Sequence, residues 1–121
     1  MPLDVDLREI DETLWRLHER FVARAGFEAG SAMDQRFVAL SLAGEAGEVA
    51  NLVKKDWRGD PRTDGSDPGR SLCDAKLATE LDNVFAYWAV LCRVSGLRLV
   101  DVMLSAVASA ERRLAELEVM R

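Results

Sequence analysis

Residues 34–57 read DQRFVALSLAGEAGEVANLVKKDW, and this stretch decides the fold. Its apolar residues recur at the spacing of one helix face: Val38, Leu42, Val49 and Leu52. Helical residues advance by about 100° each, so Glu45 lies about 20° from Val38 and falls inside this apolar stripe. The stretch therefore predicts a helix that carries a carboxylate on the face expected to be buried.

Helical spacing also predicts three further helices, from about Asp4 to Ala25, Ser71 to Gly96 and Leu99 to Met120. Asp74, three residues after Ser71, resembles the acidic partner in a capping box and supports a helix start there. The last helix has an apolar stripe of its own: Val102, Leu104, Val107 and Leu114. Residues 58–70, RGDPRTDGSDPGR, are dense in Gly, Pro and Asp and predict a loop. We therefore expect residues 1–121 to form a single all-α domain that resembles a four-helix bundle.

The composition is that of an ordinary globular protein, with 49% hydrophobic and 31% charged residues. A length of 121 residues allows one hydrophobic core but not two. The net charge of −5, without a basic run, argues against nucleic-acid binding, because few cations are present to neutralise a row of phosphates. A small phosphorylated ligand is not excluded, since it needs only a few local cations or a metal ion.

The start of the chain and its two cysteines are typical of a protein in a reducing compartment. No run of about 18 apolar residues predicts a membrane span, and the acidic start MPLDVDLREIDE lacks the apolar segment of a signal peptide. Cys73 and Cys92 belong to no CxxC motif, and we interpret both as reduced core thiols. A cytoplasmic location is the expectation.

The third predicted helix repeats the unusual feature of the second. Glu80 lies about 20° from Tyr87 on its apolar face, and Asn83 follows at the same i+3 offset that Glu48 has from Glu45. Two helices thus each present a polar pair on the side expected to face the protein interior.

Buried carboxylates need compensation, because an unpaired buried charge costs at least several kcal/mol. One interpretation is a set of inter-helical salt bridges, with Lys55 near Glu45 or Lys76 near Glu80. The other is a divalent cation held by oxygen ligands, for which Mg²⁺ is well suited. Two glycines beside these carboxylates, Gly44 and Gly47, weaken the helix but leave room for a close neighbouring helix or a ligand.

With these two polar pairs the chain resembles the MazG-like all-α nucleoside triphosphate pyrophosphohydrolases. Their signature is E-x-x-E on one helix and E-x-x-D on the next, and GEAGEVANLVKK and KLATELDNVFAYW resemble its two halves. The resemblance covers residues 34–95. It departs from the family where Asn83 occupies the aspartate position, since the nearest acid, Asp82, lies about 200° from Glu80. The last helix, with MLSAVASAERR, has alanines where many members carry a lysine and an asparagine.

The resemblance implies a cytoplasmic house-cleaning enzyme that hydrolyses a nucleoside triphosphate to NMP or dNMP and pyrophosphate. It implies Mg²⁺, or Mn²⁺ in its place, as cofactor and a homodimer or homotetramer as the assembly. The implied metal ligands are Glu45, Glu48, Glu80 and, as a neutral fourth, Asn83. Glu45 or Glu48 is also the residue expected to position or deprotonate the attacking water.

The residues that contact the substrate are predicted from the same resemblance and from helix geometry. Lys55, on the Glu45 side of its helix, and Arg113 are the expected phosphate ligands. Trp57, Tyr87 and Trp15 are the candidates for stacking on the base. Core packing stays an equal interpretation for Trp57, and the single histidine, His18, is interpreted as structural or surface.

Two alternatives to an enzyme remain open from the sequence. One is a nucleotide-binding or regulatory module on the same scaffold, with catalysis impaired by Asn83. The other is a structural helical bundle whose glutamates pair with lysines.

Overall fold

The computed structural model describes residues 6–62 and 74–120 of the chain. Within these ranges it contains four α-helices and no strand: α1 (Leu7–Ala25), α2 (Ala32–Trp57), α3 (Ala75–Val94) and α4 (Leu99–Val119). The predicted all-α architecture is therefore confirmed, and the helix ends agree with the predicted ones to within a few residues. Most of the predicted loop, and with it Cys73, lies outside the described residues.

Side-chain caps fix where three of the helices begin. The carboxylate of Asp6 accepts a hydrogen bond from the Arg8 N–H at 3.0 Å, and the Ser31 hydroxyl accepts one from the Asp34 N–H at 3.1 Å. Asp74 caps α3 in the same way, since its Oδ1 accepts the Lys76 N–H at 2.7 Å. The prediction that α3 starts at Ser71 was wrong, because Asp74 is itself the N-cap and α3 begins at Ala75.

Helices α2 and α3 form the most extensive helix pair and run antiparallel. At one end, Gln35 Nε2 donates a hydrogen bond to Ser95 Oγ at 3.1 Å. Near the middle, Asn83 Nδ2 approaches Glu45 Oε2 at 3.4 Å. Each step forward along α2 therefore corresponds to an equal step backward along α3, and this register sets Glu48 opposite Glu80.

A buried hydrogen-bonded pair of side chains connects α1 to the start of α2. His18 Nε2 lies 2.8 and 2.9 Å from the two carboxylate oxygens of Asp34, and the Gly30 N–H donates to the same carboxylate at 2.8 Å. Both side chains are buried, and Asp34 has no exposed surface. The structural interpretation of His18 is therefore supported, while its partner was not foreseen.

The buried apolar core is small and lies where α1, α2, α3 and the start of α4 meet. Its described members are Val22, Val38, Ala89, Val90, Cys92 and Leu99. Burial raises the pKa of the Cys92 thiol, as expected for an unreactive core cysteine. No helix in the described part of the chain is long and apolar enough to cross a membrane.

The predicted apolar stripe of α4 is only partly buried. Val102 is half-buried, whereas Leu104, Val107 and Leu114 are exposed. Only the first turns of α4 therefore lie against α1 and α3.

Candidate acidic site between α2 and α3

The α2–α3 face brings Glu45, Glu80 and Asn83 close together, with Glu48 one turn further along α2, and we call these four residues the acidic cluster. Asn83 donates a long hydrogen bond to Glu45, and the Glu80 carboxyl is within hydrogen-bond reach of the same residue. Glu45, Glu80 and Asn83 are half-buried, whereas Glu48 is exposed. The two sequence pairs, found on separate helices, are thus neighbours in space.

Mutual repulsion shapes the charge of the cluster. The hydrogen bond shared with Glu45 raises the pKa of Glu80, and partial burial and the charges of Glu45 and Glu48 raise it further. Lys76 acts in the opposite direction, but its effect is smaller. Glu80 therefore keeps its proton to higher pH than an ordinary glutamate, as expected where carboxylates are gathered without a matching cation.

The salt-bridge interpretation finds no support in this geometry. Within residues 6–62 and 74–120, neither Lys55 nor Lys76 comes within ion-pair distance of Glu45 or Glu80. The carboxylates of Glu45 and Glu80 instead lie together, and the neutral Asn83 contacts Glu45. The alternative of a purely structural bundle held by Glu–Lys pairs loses its main physical basis.

The donor atoms of the cluster suit a hard cation, although the ligand set is incomplete. Among the described residues, no three His, Cys, Asp or Glu side chains come together as a group that could hold a metal ion. Mg²⁺, however, is usually bound through one or two carboxylates, several waters and substrate phosphates. Glu45 and Glu80 fit that mode, with Glu48 one helical turn from Glu45. Asn83 directs an N–H toward Glu45, so ligation through its oxygen requires the amide to turn over.

Open space adjoins the cluster on α2. A side-chain carbon added at Gly44 or Gly47 would meet no other atom within 4 Å. Within the described residues no helix approaches either glycine closely. Room for a ligand is therefore compatible with the structure, whereas a close neighbouring helix of the described chain is not the reason for these glycines.

A cavity of about 330 Å³ lies beyond the cluster, at the end of α2 and the start of α3, and no cluster residue is part of its lining. Lys55 and Lys76 line it together with Arg62 and three aspartates. Lys76 is four residues before Glu80, and therefore one turn away on the same face of α3. Lys55, by contrast, is ten residues beyond Glu45, about 15 Å along α2.

A mainly apolar groove of about 340 Å³ lies on the other side, between α1 and α3. Its wall includes Phe21, His18 and Tyr87, and Asn83 belongs both to this wall and to the acidic cluster. Phe21 leaves most of its ring exposed. The groove therefore begins where the cluster ends.

Four residues on one face of α3 connect the cavity, the acidic cluster and the groove. Lys76, Glu80, Asn83 and Tyr87 follow one another at intervals of three or four residues, so they form a row about 16 Å long. The row passes from a cation, through the acidic cluster, to an aromatic ring. The spacing was visible in the sequence, but Lys76 was considered there only as a salt-bridge partner.

The other predicted substrate residues are not brought to the cluster. Trp57 is almost fully exposed at the end of α2, about 18 Å along the helix from Glu45. Trp15 lies near the opposite end of α3, where the Arg93 guanidinium covers its ring at 5.0 Å. Arg113 is on the exposed half of α4 and makes no hydrogen bond or ion pair with the described part of the cluster.

Sequence reasoning missed His18 and Phe21 as groove residues. Their position next to Tyr87 depends on how α1 packs on α3, for which the sequence gives no local signal. Comparisons of the chain with protein-family models, curated proteins and solved structures return no match. The MazG-like resemblance therefore stays a prediction that rests on the residues quoted for it.

Proposed function

We propose that the protein is a Mg²⁺-dependent nucleoside triphosphate pyrophosphohydrolase of the MazG-like type. The observation that supports this best is the row of Lys76, Glu80, Asn83 and Tyr87 on α3, facing Glu45 and Glu48 on α2. A triphosphate needs cations at its anionic end, oxygen ligands for its metal ion and an apolar surface for its base. The row offers these three environments in that order.

The proposed reaction is attack of water on the α-phosphorus. Bound Mg²⁺, or Mn²⁺, would neutralise the triphosphate and hold it in position for in-line attack. Glu45 and Glu80 are the proposed protein ligands, and Asn83 joins them if its amide turns over. The water oxygen forms the new bond to phosphorus, the bond to the bridging oxygen breaks, and pyrophosphate leaves. The water proton passes to Glu45 or Glu48.

The lysines contribute at the anionic end. Lys55 and Lys76 line one cavity at the end of the row, together with Arg62 and three aspartates, and the lysine ammonium groups suit the β- and γ-phosphates. Lys76 is thus added to the predicted phosphate ligands. Arg113 stays a prediction that needs a larger movement or a second subunit.

The base is proposed to enter the groove lined by Tyr87. The groove is lined by aromatic and aliphatic side chains, and a base that stacks on an aromatic ring gains about 1–3 kcal/mol. Trp57 stays a prediction that this groove does not use, because it lies about 18 Å along α2 from Glu45. The ring of Trp15 is occupied by Arg93. We also propose that the protein acts in the cytoplasm as a homodimer or homotetramer.

A second candidate function is a nucleotide-binding module without turnover. The observation that favours it is the N–H of Asn83, which points to Glu45 where the family has a charged oxygen ligand. Such a module would bind the triphosphate and Mg²⁺ but leave the phosphoanhydride intact.

Product analysis with Mg²⁺ and a panel of canonical and modified nucleoside triphosphates tests the proposal. We expect monophosphate and pyrophosphate, with loss of at least 100-fold in rate in Glu80→Gln. Asp82→Asn is the matched control, because Asp82 is an exposed acid on the same helix that faces away. Turnover by Asn83→Asp alone would favour the binding module. Equal activity in Glu80→Gln and the wild type would refute the assignment of this site.

A further inference from the structure

Helix α4 continues beyond the body formed by α1, α2 and α3. Leu99 is buried, and Val100, Val102 and Met103 are half-buried against the body. From Leu104 to Met120, every residue except Ser109 is exposed. The second half of α4 therefore has no covering partner within the described chain.

The exposed half continues the apolar seam of the first half. The residues of this seam, along the whole of α4, follow one another at alternating steps of three and four: Val100, Met103, Val107, Ala110, Leu114 and Leu117. All six lie within about 60° of Leu114 around the helix. The first two contact the body, whereas Val107, Leu114 and Leu117 leave 57%, 59% and 63% of their surface exposed. This is the heptad pattern of a two-stranded coiled coil, with Val107 and Leu114 at position a and Ala110 and Leu117 at position d.

We infer that the exposed half of α4 pairs in parallel with the same segment of a second copy of this chain. In a parallel pair, position g of one helix faces position e of the next heptad on its partner. Arg113 occupies g and Glu118 occupies that e position, so each copy's Arg113 faces an opposite charge in Glu118 of the partner subunit. Two such pairs form by symmetry.

The antiparallel arrangement does not offer this complementarity. There, position e faces e and position g faces g, and two of the three e positions of the exposed segment are glutamates, Glu111 and Glu118, the third being Leu104. With the two segments fully overlapped, like charges would then line one side of the seam. The charge pattern thus selects a second copy as the occupant and the parallel orientation, and it does so independently of the proposed chemistry.

Cysteine cross-linking tests the orientation in the full chain. In a parallel pair identical d positions face each other, so Leu117→Cys should form a disulfide-linked dimer under mild oxidation. Val119→Cys is the matched control, since this exposed residue lies about 140° from Leu114, on the outer side. Equal or no cross-linking of the two variants would overturn the parallel pair. The native Cys73 and Cys92 are common to both variants, so they do not affect the comparison.

Sedimentation measurements of self-association test whether Arg113 and Glu118 pair across the interface. Arg113→Glu and Glu118→Arg should each weaken dimerisation about tenfold at low salt, and the double variant should restore it. Arg112→Glu, on the outer face, should have little effect. A chain that stays monomeric at all concentrations would overturn the inference. A dimer that is insensitive to Arg113→Glu and Leu117→Ser would do the same, because another surface would then be its interface.

Discussion

At the scale of single residues, the raised pKa of Glu80 makes the stability of the fold depend on pH. Its pKa is raised by the hydrogen bond shared with Glu45, by burial and by neighbouring negative charges, so the folded chain binds this proton more tightly than the unfolded chain does. The stabilising contribution is complete below the ordinary glutamate pKa of 4.5 and is lost as the pH rises through the raised pKa. At neutral pH the charged Glu80 therefore destabilises the fold.

Glu80→Gln, which cannot ionise, should accordingly raise the melting temperature at pH 7. The gain should shrink as the pH is lowered and vanish below about pH 4.5. Thermal unfolding from pH 4 to 8, with Asp82→Asn as the control, checks this. A gain that is independent of pH would show that removal of the charge is not its cause.

The buried pair of His18 and Asp34 predicts a large loss of stability at one residue. Asp34→Ala should lower the free energy of unfolding by about 3–5 kcal/mol, since it leaves His18 and the Gly30 N–H without their shared acceptor. Asp101→Ala, which removes an exposed partner of Arg98, should cost less than about 1 kcal/mol. Urea denaturation of both variants measures the difference, and similar losses would contradict the role assigned to Asp34.

Residue positions on a helix face were predictable, whereas contacts between distant turns were not. The 100° rotation rule predicted that Glu45 and Glu80 face inward and that Asp82 faces outward, as the structure shows. His18 and Asp34 are 16 residues apart and meet only because the chain turns through Gly26 and Gly30, both at positive φ. No helical or strand period connects such a pair in the sequence.

At the scale of helices, α2 keeps two glycines where alanine would make a better helix. Both sites have open space, so Gly47→Ala should increase the free energy of unfolding by about 1 kcal/mol through helix propensity alone. Chemical denaturation checks the gain, and unchanged or reduced stability would contradict it. If that space admits substrate, the same variant should lose activity while it gains stability.

The helices themselves were predictable because their signals are local. Periodic apolar residues and turn-forming residues are read within one stretch of chain, and these predicted all four helices. The start of α3 was misplaced because both Ser71 and Asp74 are good capping residues. The partial burial of α4 could not be read locally, since apolar spacing does not reveal whether the covering surface belongs to the same chain.

At the scale of the whole molecule, the incompleteness of the acidic cluster predicts how metal and nucleotide depend on each other. The described site gathers two carboxylates closely, and Glu48 remains exposed. Mg²⁺ usually needs substrate phosphates to complete such a ligand set, while the triphosphate needs the cation to approach the carboxylates. Each ligand should therefore bind weakly alone and more tightly in the presence of the other.

Thermal unfolding with each ligand and with both together measures this coupling. Mg²⁺ alone or a triphosphate alone should change the melting temperature little. Both together, at about 100 times the dissociation constant, should add about 2.7 kcal/mol to the free energy of unfolding. Glu45→Gln should abolish the combined shift, and Asp82→Asn should retain it. Full stabilisation by the nucleotide without metal would locate binding away from the carboxylates and contradict the proposed site.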